Sequence, residues 1–143
     1  MPSLYVEIEI DAPKSKVWQT LLNKQDWLRW NTFLYDRDPV QPFEQGKMVW
    51  LSLKRVSREE ETEFQPTITL LQPEVCLQWL SSAPGFRNEH VFELLDIGKR
   101  TKYIHRENFS GALTRLFFPF IRQDEQQGLR RMAQELKQYV ERR

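Results

Sequence analysis

The strongest constraint on this chain is the apolar stripe of its last segment, residues 119–143. Leu129, Met132, Ala133, Leu136 and Val140 recur at three- and four-residue spacing. Arg130, Arg131, Gln134, Lys137, Gln138 and Glu141 fall between them, the pattern of an amphipathic helix. Asp124 and Glu125 come early and Arg142 and Arg143 last, the charge order that a helix macrodipole favours. A continuous helix here is about 37 Å long at about 1.5 Å per residue. A stripe of that length needs a broad apolar partner. The preceding chain reads mostly as strands, so the partner is a sheet.

The first strand carries Leu4, Val6, Ile8 and Ile10 in alternation with Tyr5, Glu7 and Glu9, one face buried and one wet. Asp11-Ala12-Pro13 then changes the period. Asp11 is a candidate helix cap, and Pro13 in a first turn loses no helical hydrogen bond. Val17, Trp18, Leu21 and Leu22 form the face of a short helix that Asn23 stops. A second short helix begins near Asp26 and carries Trp27, Leu28 and Trp30 as its apolar residues.

From residue 31 to residue 111 strands alternate with turns. The expected strands cover 33–37, 47–55, 62–71, 75–81, 87–96 and 100–110. Val49, Leu51 and Leu53 share a face of the second. The acidic stretch before the third is expected to be a solvated hairpin end. Pro66 inside the third implies an edge position or a bulge. The order is strand, two helices, six strands and a long helix, with short loops that favour an antiparallel meander. The class is α+β, and residues 1–143 read as one domain. Lipocalins lack the early helix pair, and nuclear-transport-factor-like folds place their long helix first.

Ile10-Asp11-Ala12-Pro13, Val17-Trp18 and the stretch from Trp27 to Asn31 resemble the opening of the START-like superfamily, also called SRPBCC or Bet v 1-like. Phe64-Gln65-Pro66, Leu77-Gln78-Trp79, His90-Val91-Phe92-Glu93-Leu94, Thr101 and the run from His105 to Gly111 continue the resemblance. It is closest to the polyketide cyclase/dehydrase branch of small bacterial proteins. The resemblance implies a helix-grip fold, a curved antiparallel sheet around the C-terminal helix enclosing a cavity for apolar molecules. Its members include enzymes, carriers and cochaperones, and no shared catalytic signature transfers to this chain.

Strand alternation supplies the candidate cavity wall. Thr101, Tyr103, His105, Glu107 and Phe109 share one face, with Ile104 the apolar exception on the other. His90, Phe92 and Leu94 point the same way from the preceding strand, and Val75, Leu77 and Trp79 from the one before. The Gly98-Lys99 turn sets Ile97 opposite Arg100, which brings Leu94 to Tyr103, Phe92 to His105 and His90 to Glu107. An imidazole and a carboxylate placed so are within hydrogen-bonding reach. Their pairing is expected to raise the His90 pKa and lower that of Glu107, with desolvation opposing both. Candidate ligand-binding residues are therefore Leu77, Trp79, His90, Phe92, Tyr103, His105, Glu107 and Phe109, with Gly128 and Met132 on the helix. Core packing is the competing reading for the aromatics, and a strand-tying role for the His90–Glu107 pair. Gly128 costs about 1 kcal/mol relative to Ala in a helix. It either leaves room for a ligand or permits close packing. Phe117, Phe118, Phe120 and Ile121 gate the cavity, touch a membrane or partner, or plug the barrel end.

Composition narrows the function. Twenty-one basic and twenty acidic side chains leave a net charge of +1, so no strong field favours nucleic acid. The apolar run 116–121 is too short to span a bilayer, and no basic-then-apolar leader opens the chain. One cysteine, Cys76, excludes an internal disulfide and fits a reducing, cytoplasmic setting. Two histidines without zinc-type spacing argue against a structural zinc site, and five scattered glycines form no phosphate loop, so no metal or cofactor is expected. The expected function is binding or transport of a small hydrophobic molecule (a lipid, polyketide or aromatic compound) by a monomer or weak homodimer. Two alternatives stand beside it. One is a cyclase, dehydratase or hydrolase using His90 or His105 with Glu107 as acid–base groups. The other is a cochaperone-like module that docks through the outer sheet.

Overall fold

A computed structural model describes residues 2–142. Strand β1 (Ser3–Ile10) leads into helix α1 (Lys14–Leu22) and a 3-10 helix, Lys24–Arg29. Strands β2 (Leu34–Asp36), β3 (Leu51–Leu53), β4 (Thr62–Phe64), β5 (Thr67–Gln72), β6 (Cys76–Ala83), β7 (Phe86–Ile97) and β8 (Arg100–Ser110) follow, and helix α2 (Thr114–Glu141) closes the chain. The antiparallel main sheet runs β1-β8-β7-β6-β5, and β2-β3-β4 form a smaller sheet. The α2 stripe of Leu129, Met132, Ala133, Leu136 and Val140 is buried, as its spacing requires.

Seven strands rather than six separate the helices, because Pro66 divides the expected 62–71 strand. Without an amide hydrogen Pro66 cannot extend a ladder, and the chain changes sheets there, β4 lying in the small sheet and β5 at the main sheet's edge. The β5–β6 register also slips between Ile68 and Leu70. The expected 47–55 strand is shared between both sheets. Leu51–Leu53 pairs with β4, whereas Met48 bridges Thr67 and Val49 N–H donates to the Pro66 carbonyl at 3.0 Å. This segment therefore joins the two sheets into one curved wall.

The first helix has no side-chain cap, so Asp11 does not cap it. Instead the Asp11 N–H donates to Glu141 Oε2 at 2.7 Å, tying the start of α1 to the end of α2. In the 3-10 helix, side chains three apart eclipse one another. Trp27 and the following Trp30 are thus buried on one side while Leu28 is 82% exposed, contrary to its expected place in the core. Val75 is likewise exposed, in the turn before β6 rather than on its inner face.

Helix α2 begins at Thr114, ahead of the expected start, and carries Pro119 inside it. The missing proline hydrogen bond falls close to the helix start, where few intrahelical bonds precede it. Glu125 consequently lies well inside the helix and on its buried face, not in a first turn, and Arg142 falls at the C-cap beyond the last turn. Gly111 reaches α2 through a φ of +105°, and a side chain there would collide with the Gly85 carbonyl.

Gly128 sits against the small sheet's entry, not against open space. A methyl group on it would lie 2.5 Å from ring carbons of fully buried Phe33. Overpacking costs about 1–3 kcal/mol, which outweighs the roughly 1 kcal/mol helix-propensity gain of alanine. Gly128→Ala should therefore destabilise the protein by about 1 kcal/mol in urea denaturation. The same substitution in a Phe33→Leu background should become neutral or stabilising. Equal effects in both backgrounds would show that Phe33 is not the constraint.

Candidate functional site

The β7–β8 hairpin has the register that its turn dictates. Gly98, at φ +79°, permits the tight connection. Ile97 faces Arg100, Leu94 faces Tyr103, Phe92 faces His105 and His90 faces Glu107. Asn88 and Phe109 form the next inward pair. On β6, Leu77 faces Phe92 and Trp79 faces His90.

These residues divide into two zones. In the middle of the sheet the rings close on one another, with centroids 4.1 Å apart for Phe92 and His105 and 4.9 Å for Trp79 and Phe92. Leu77, Trp79, Phe92, Tyr103 and Met132 are all fully buried there, and with Gly128 they belong to the packed interior. Toward the start of α2 the packing opens into a cavity of about 280 Å³. Phe64, Phe86, Phe109, Phe117 and Ile121 supply much of its apolar wall, and Arg55, Ser81, Asn88, Glu107 and Glu125 its polar side. Of the candidate ligand-binding residues, Glu107 and Phe109 reach this wall, while His90 and His105 stand behind Glu107; of the expected gate or plug residues, Phe117 and Ile121 line it. Phe117 meets Phe86 edge-on at 4.9 Å, Phe118 meets Phe109 at 4.9 Å, and Phe120 is exposed.

The polar side is a connected chain of buried groups. His105 Nε2 and His90 Nδ1 are 2.8 Å apart, so one ring donates to the other. His90 Nε2 lies 3.3 Å from Glu107 Oε2, which also accepts from Asn88 Nδ2 at 2.7 Å. Glu125 approaches from α2, and its Oε1 accepts from Arg55 Nε at 2.7 Å. Arg55 donates onward to Glu59 at 2.6 Å. One donor atom from each of His90, Glu107 and Glu125 lies within 4.8 Å of the others, the metal-ligating grouping found among the described residues.

Desolvation dominates this cluster, against the expected ion pair. Burial pulls His90 down to about 4, with the Glu125 and Glu89 carboxylates opposing. Burial, then the neighbouring His90, holds His105 well below the usual histidine range. Burial pushes Glu107 up to about 7, against hydrogen bonds from Glu125 and Asn88 and the charge of Arg55. Glu125 is raised well above the usual range, by burial and then by Glu107. Two neighbouring buried carboxyls titrate as a coupled pair, and burial favours the protonated form of each. Burial favours the neutral form of both histidines.

Arg55, Ser81, Asn88 and Glu125 were not singled out in the sequence. Alternation extends the Val49, Leu51, Leu53 face to Arg55, and the His90, Phe92 face back to Asn88. Glu125 lies four residues before Leu129 and seven before Met132, an acid on the apolar stripe. The acidic stretch is also more organised than a solvated hairpin end. Glu59 binds Arg55, and Glu61 binds Arg37 at 2.6 Å and accepts from Ser52 Oγ at 2.5 Å.

The sequence matches no protein-family model and no curated protein. Its structure resembles that of protein CV1439 from Chromobacterium violaceum, at TM-score 0.78 and 10% identity over 99% of this chain and 98% of that one. A START superfamily protein from Mycobacterium smegmatis aligns at TM-score 0.73 and 13% identity over 97% of both chains. Ara h 8.0201 aligns at TM-score 0.73 and 11% identity, again over 97% of both. These likenesses show that the chain has the START-like, or Bet v 1-like, helix-grip fold.

The raised Glu107 pKa has a stability consequence. A carboxyl that titrates near 7 when folded and near 4.3 when unfolded stays protonated in the native state while the unfolded chain ionises. It therefore costs stability as pH rises through that window. Glu107→Gln removes the titration, and the histidine contributions, which have the opposite slope, largely cancel between variant and wild type. Its stability relative to wild type should rise by on the order of 1–3 kcal/mol from about pH 4 to about pH 8. Urea denaturation in chelator-containing buffer measures this, and a pH-independent difference would contradict the raised pKa.

Proposed function

We propose that the protein binds a compact small molecule with an apolar body and a neutral, hydrogen-bonding head in the cavity at the start of α2. The observation that carries this reading is a pair of unpartnered polar atoms on residues of a cavity with one apolar and one polar side. Glu107 Oε1 and Ser81 Oγ are buried without a hydrogen-bond partner, and both residues line the cavity. Buried polar atoms are normally satisfied, and a ligand hydroxyl would satisfy them. The aromatic and aliphatic wall accommodates the body.

Size and charge narrow the class. A volume of about 280 Å³ equals roughly nine waters at about 30 Å³ each, which suits a one- or two-ring molecule better than a sterol or long-chain lipid. Two neighbouring acidic side chains, Glu107 and Glu125, disfavour a carboxylate head and favour a hydroxyl. A shallower groove outside β4 and β6 shares Thr62, Phe64, Ser81 and Phe86 with the cavity wall, and offers the entry path.

Acid–base catalysis is the second reading. It is supported by a Glu107 carboxyl that titrates near 7, where a general acid or base works best. The docking reading gains no support from the outer sheet, where Glu7–Lys102, Glu9–Arg100 and Glu93–Arg106 pairs occupy the surface.

Native mass spectrometry of freshly purified protein should show a bound small molecule, identifiable after extraction. Independently, neutral N-phenylnaphthylamine should bind saturably, and Ser81→Phe should weaken it by at least about tenfold by filling the cavity. Naphthol should bind more tightly than methylnaphthalene. Glu107→Gln should reduce that preference by about 1–3 kcal/mol if the carboxyl bonds the hydroxyl. Equal binding of the two probes to the wild-type protein would remove the assigned role of Glu107.

A further inference from the structure

We infer that His90, Glu107 and Glu125 form a binding site for a divalent first-row transition metal, of the zinc type, at the floor of the cavity. The inference deepens the small-molecule reading, with which it shares the unpartnered Glu107 Oε1, and adds donor atoms of His90 and Glu125. The three side chains come from β7, β8 and α2 and present donor atoms within 4.8 Å of one another. His90 Nε2 and Glu107 Oε2 are 3.3 Å apart. Two ligand atoms about 2.1 Å from a shared tetrahedral ion are separated by about 3.4 Å, so this spacing fits without rearrangement.

The donor atoms are also available. His90 is fully buried, and its Nε2 makes no hydrogen bond despite the nearby carboxylate. Glu107 Oε2, the oxygen beside His90, accepts one hydrogen bond from Asn88 and keeps a second lone pair, and Glu107 Oε1 is buried and unpartnered. Arg55 occupies Oε1 of Glu125 and leaves its second oxygen for another partner.

Each ligand has an outer partner that fixes it. His105 Nε2 contacts His90 Nδ1 at 2.8 Å, so a Nδ1–H donated to that nitrogen leaves the Nε2 lone pair facing inward. Asn88 orients Glu107, and Arg55 orients Glu125. Such second contacts are characteristic of metal-binding imidazoles and carboxylates. The charges also balance. A dication offsets the two carboxylates, while Arg55 and Glu59 offset each other.

One imidazole with two carboxylates is a borderline donor set, suited to zinc and its neighbours rather than to calcium, which takes six to eight oxygens. Glu107 and Glu125 both line the cavity, so a fourth coordination position opens into it. A water or the head of the bound molecule would take that position, and the ion would act there as a Lewis acid or an orienting charge.

The test uses the full chain, freed of metal by chelator and without an added organic ligand, so its failure is distinguishable from failure of probe binding. Zn²⁺ titrated by calorimetry should bind with one-to-one stoichiometry and raise the melting temperature. Co²⁺ should give the d–d absorption of a nitrogen- and oxygen-ligated ion. The chain has two histidines, and they are this pair. Zn²⁺ should therefore shift the His90 imidazole resonances in NMR. Glu107→Gln and Glu125→Gln should each weaken binding by at least about tenfold. An unchanged His90 signal on saturation with Zn²⁺ would overturn the inference even if the variants failed to fold. So would undiminished affinity in a folded Glu107→Gln/Glu125→Gln double variant.

Discussion

Burial of the α2 stripe against the concave sheet is the interaction on which the rest of the structure depends. From Leu129 to Val140 the stripe is apolar, and its side chains are buried among the rings and aliphatic groups of the core. One step toward the helix start the stripe carries Glu125, and there close packing ends. An acid cannot pack against Leu and Phe without a partner, so Arg55, Asn88, His90 and Glu107 gather around it. The cavity and its polar side thus follow from a single interruption of the pattern that holds the fold together.

The cluster also shows how burial overrides pairing. Opposed across a hairpin, an imidazole and a carboxylate would exchange a proton and form an ion pair in water. Between α2 and the sheet both would lose their hydration, and the neutral forms are the cheaper ones. Hence the His90 pKa falls and that of Glu107 rises, although 3.3 Å separates them. Arg55, at the outer end of the cluster, is partly exposed and has Glu59 as a second partner. The result is a low-charge interior that still holds several unsatisfied donor and acceptor atoms, a state receptive to a polar head or a cation.

Most of the fold was legible because period and register are local properties. Alternation placed Thr101, Tyr103, His105, Glu107 and Phe109 on one buried face, and a two-residue turn at Gly98 set His90 opposite Glu107. What local reasoning missed has identifiable causes. Pro66 implies an edge position or a bulge, and β5 is an edge strand with a register slip, but the proline also transfers the chain between sheets and so divides the expected strand in two. Leu28 shares the second short helix with Trp27 and Trp30, but the three-residue repeat of a 3-10 helix buries those two and turns Leu28 outward. Alternation places Val75 on the inner face of a strand, whereas the strand begins one residue later, at Cys76.

The site was less legible than the fold. Sequence alone determined the α+β class, the inward faces of β7 and β8, their register and the apolar stripe of α2, because each depends on neighbours a few residues apart. It did not determine where along the groove the helix and sheet would separate, since that depends on side-chain volumes contributed by elements far apart in the chain. Tertiary structure alone brought Arg55 and Glu125 together across 70 positions and set both beside Glu107. It also decided that Gly128 serves Phe33 rather than a ligand, and that Trp79 and Phe92 fill the interior. The pKa values were decided there too, because desolvation measures everything that surrounds a group and not only the residue opposite it.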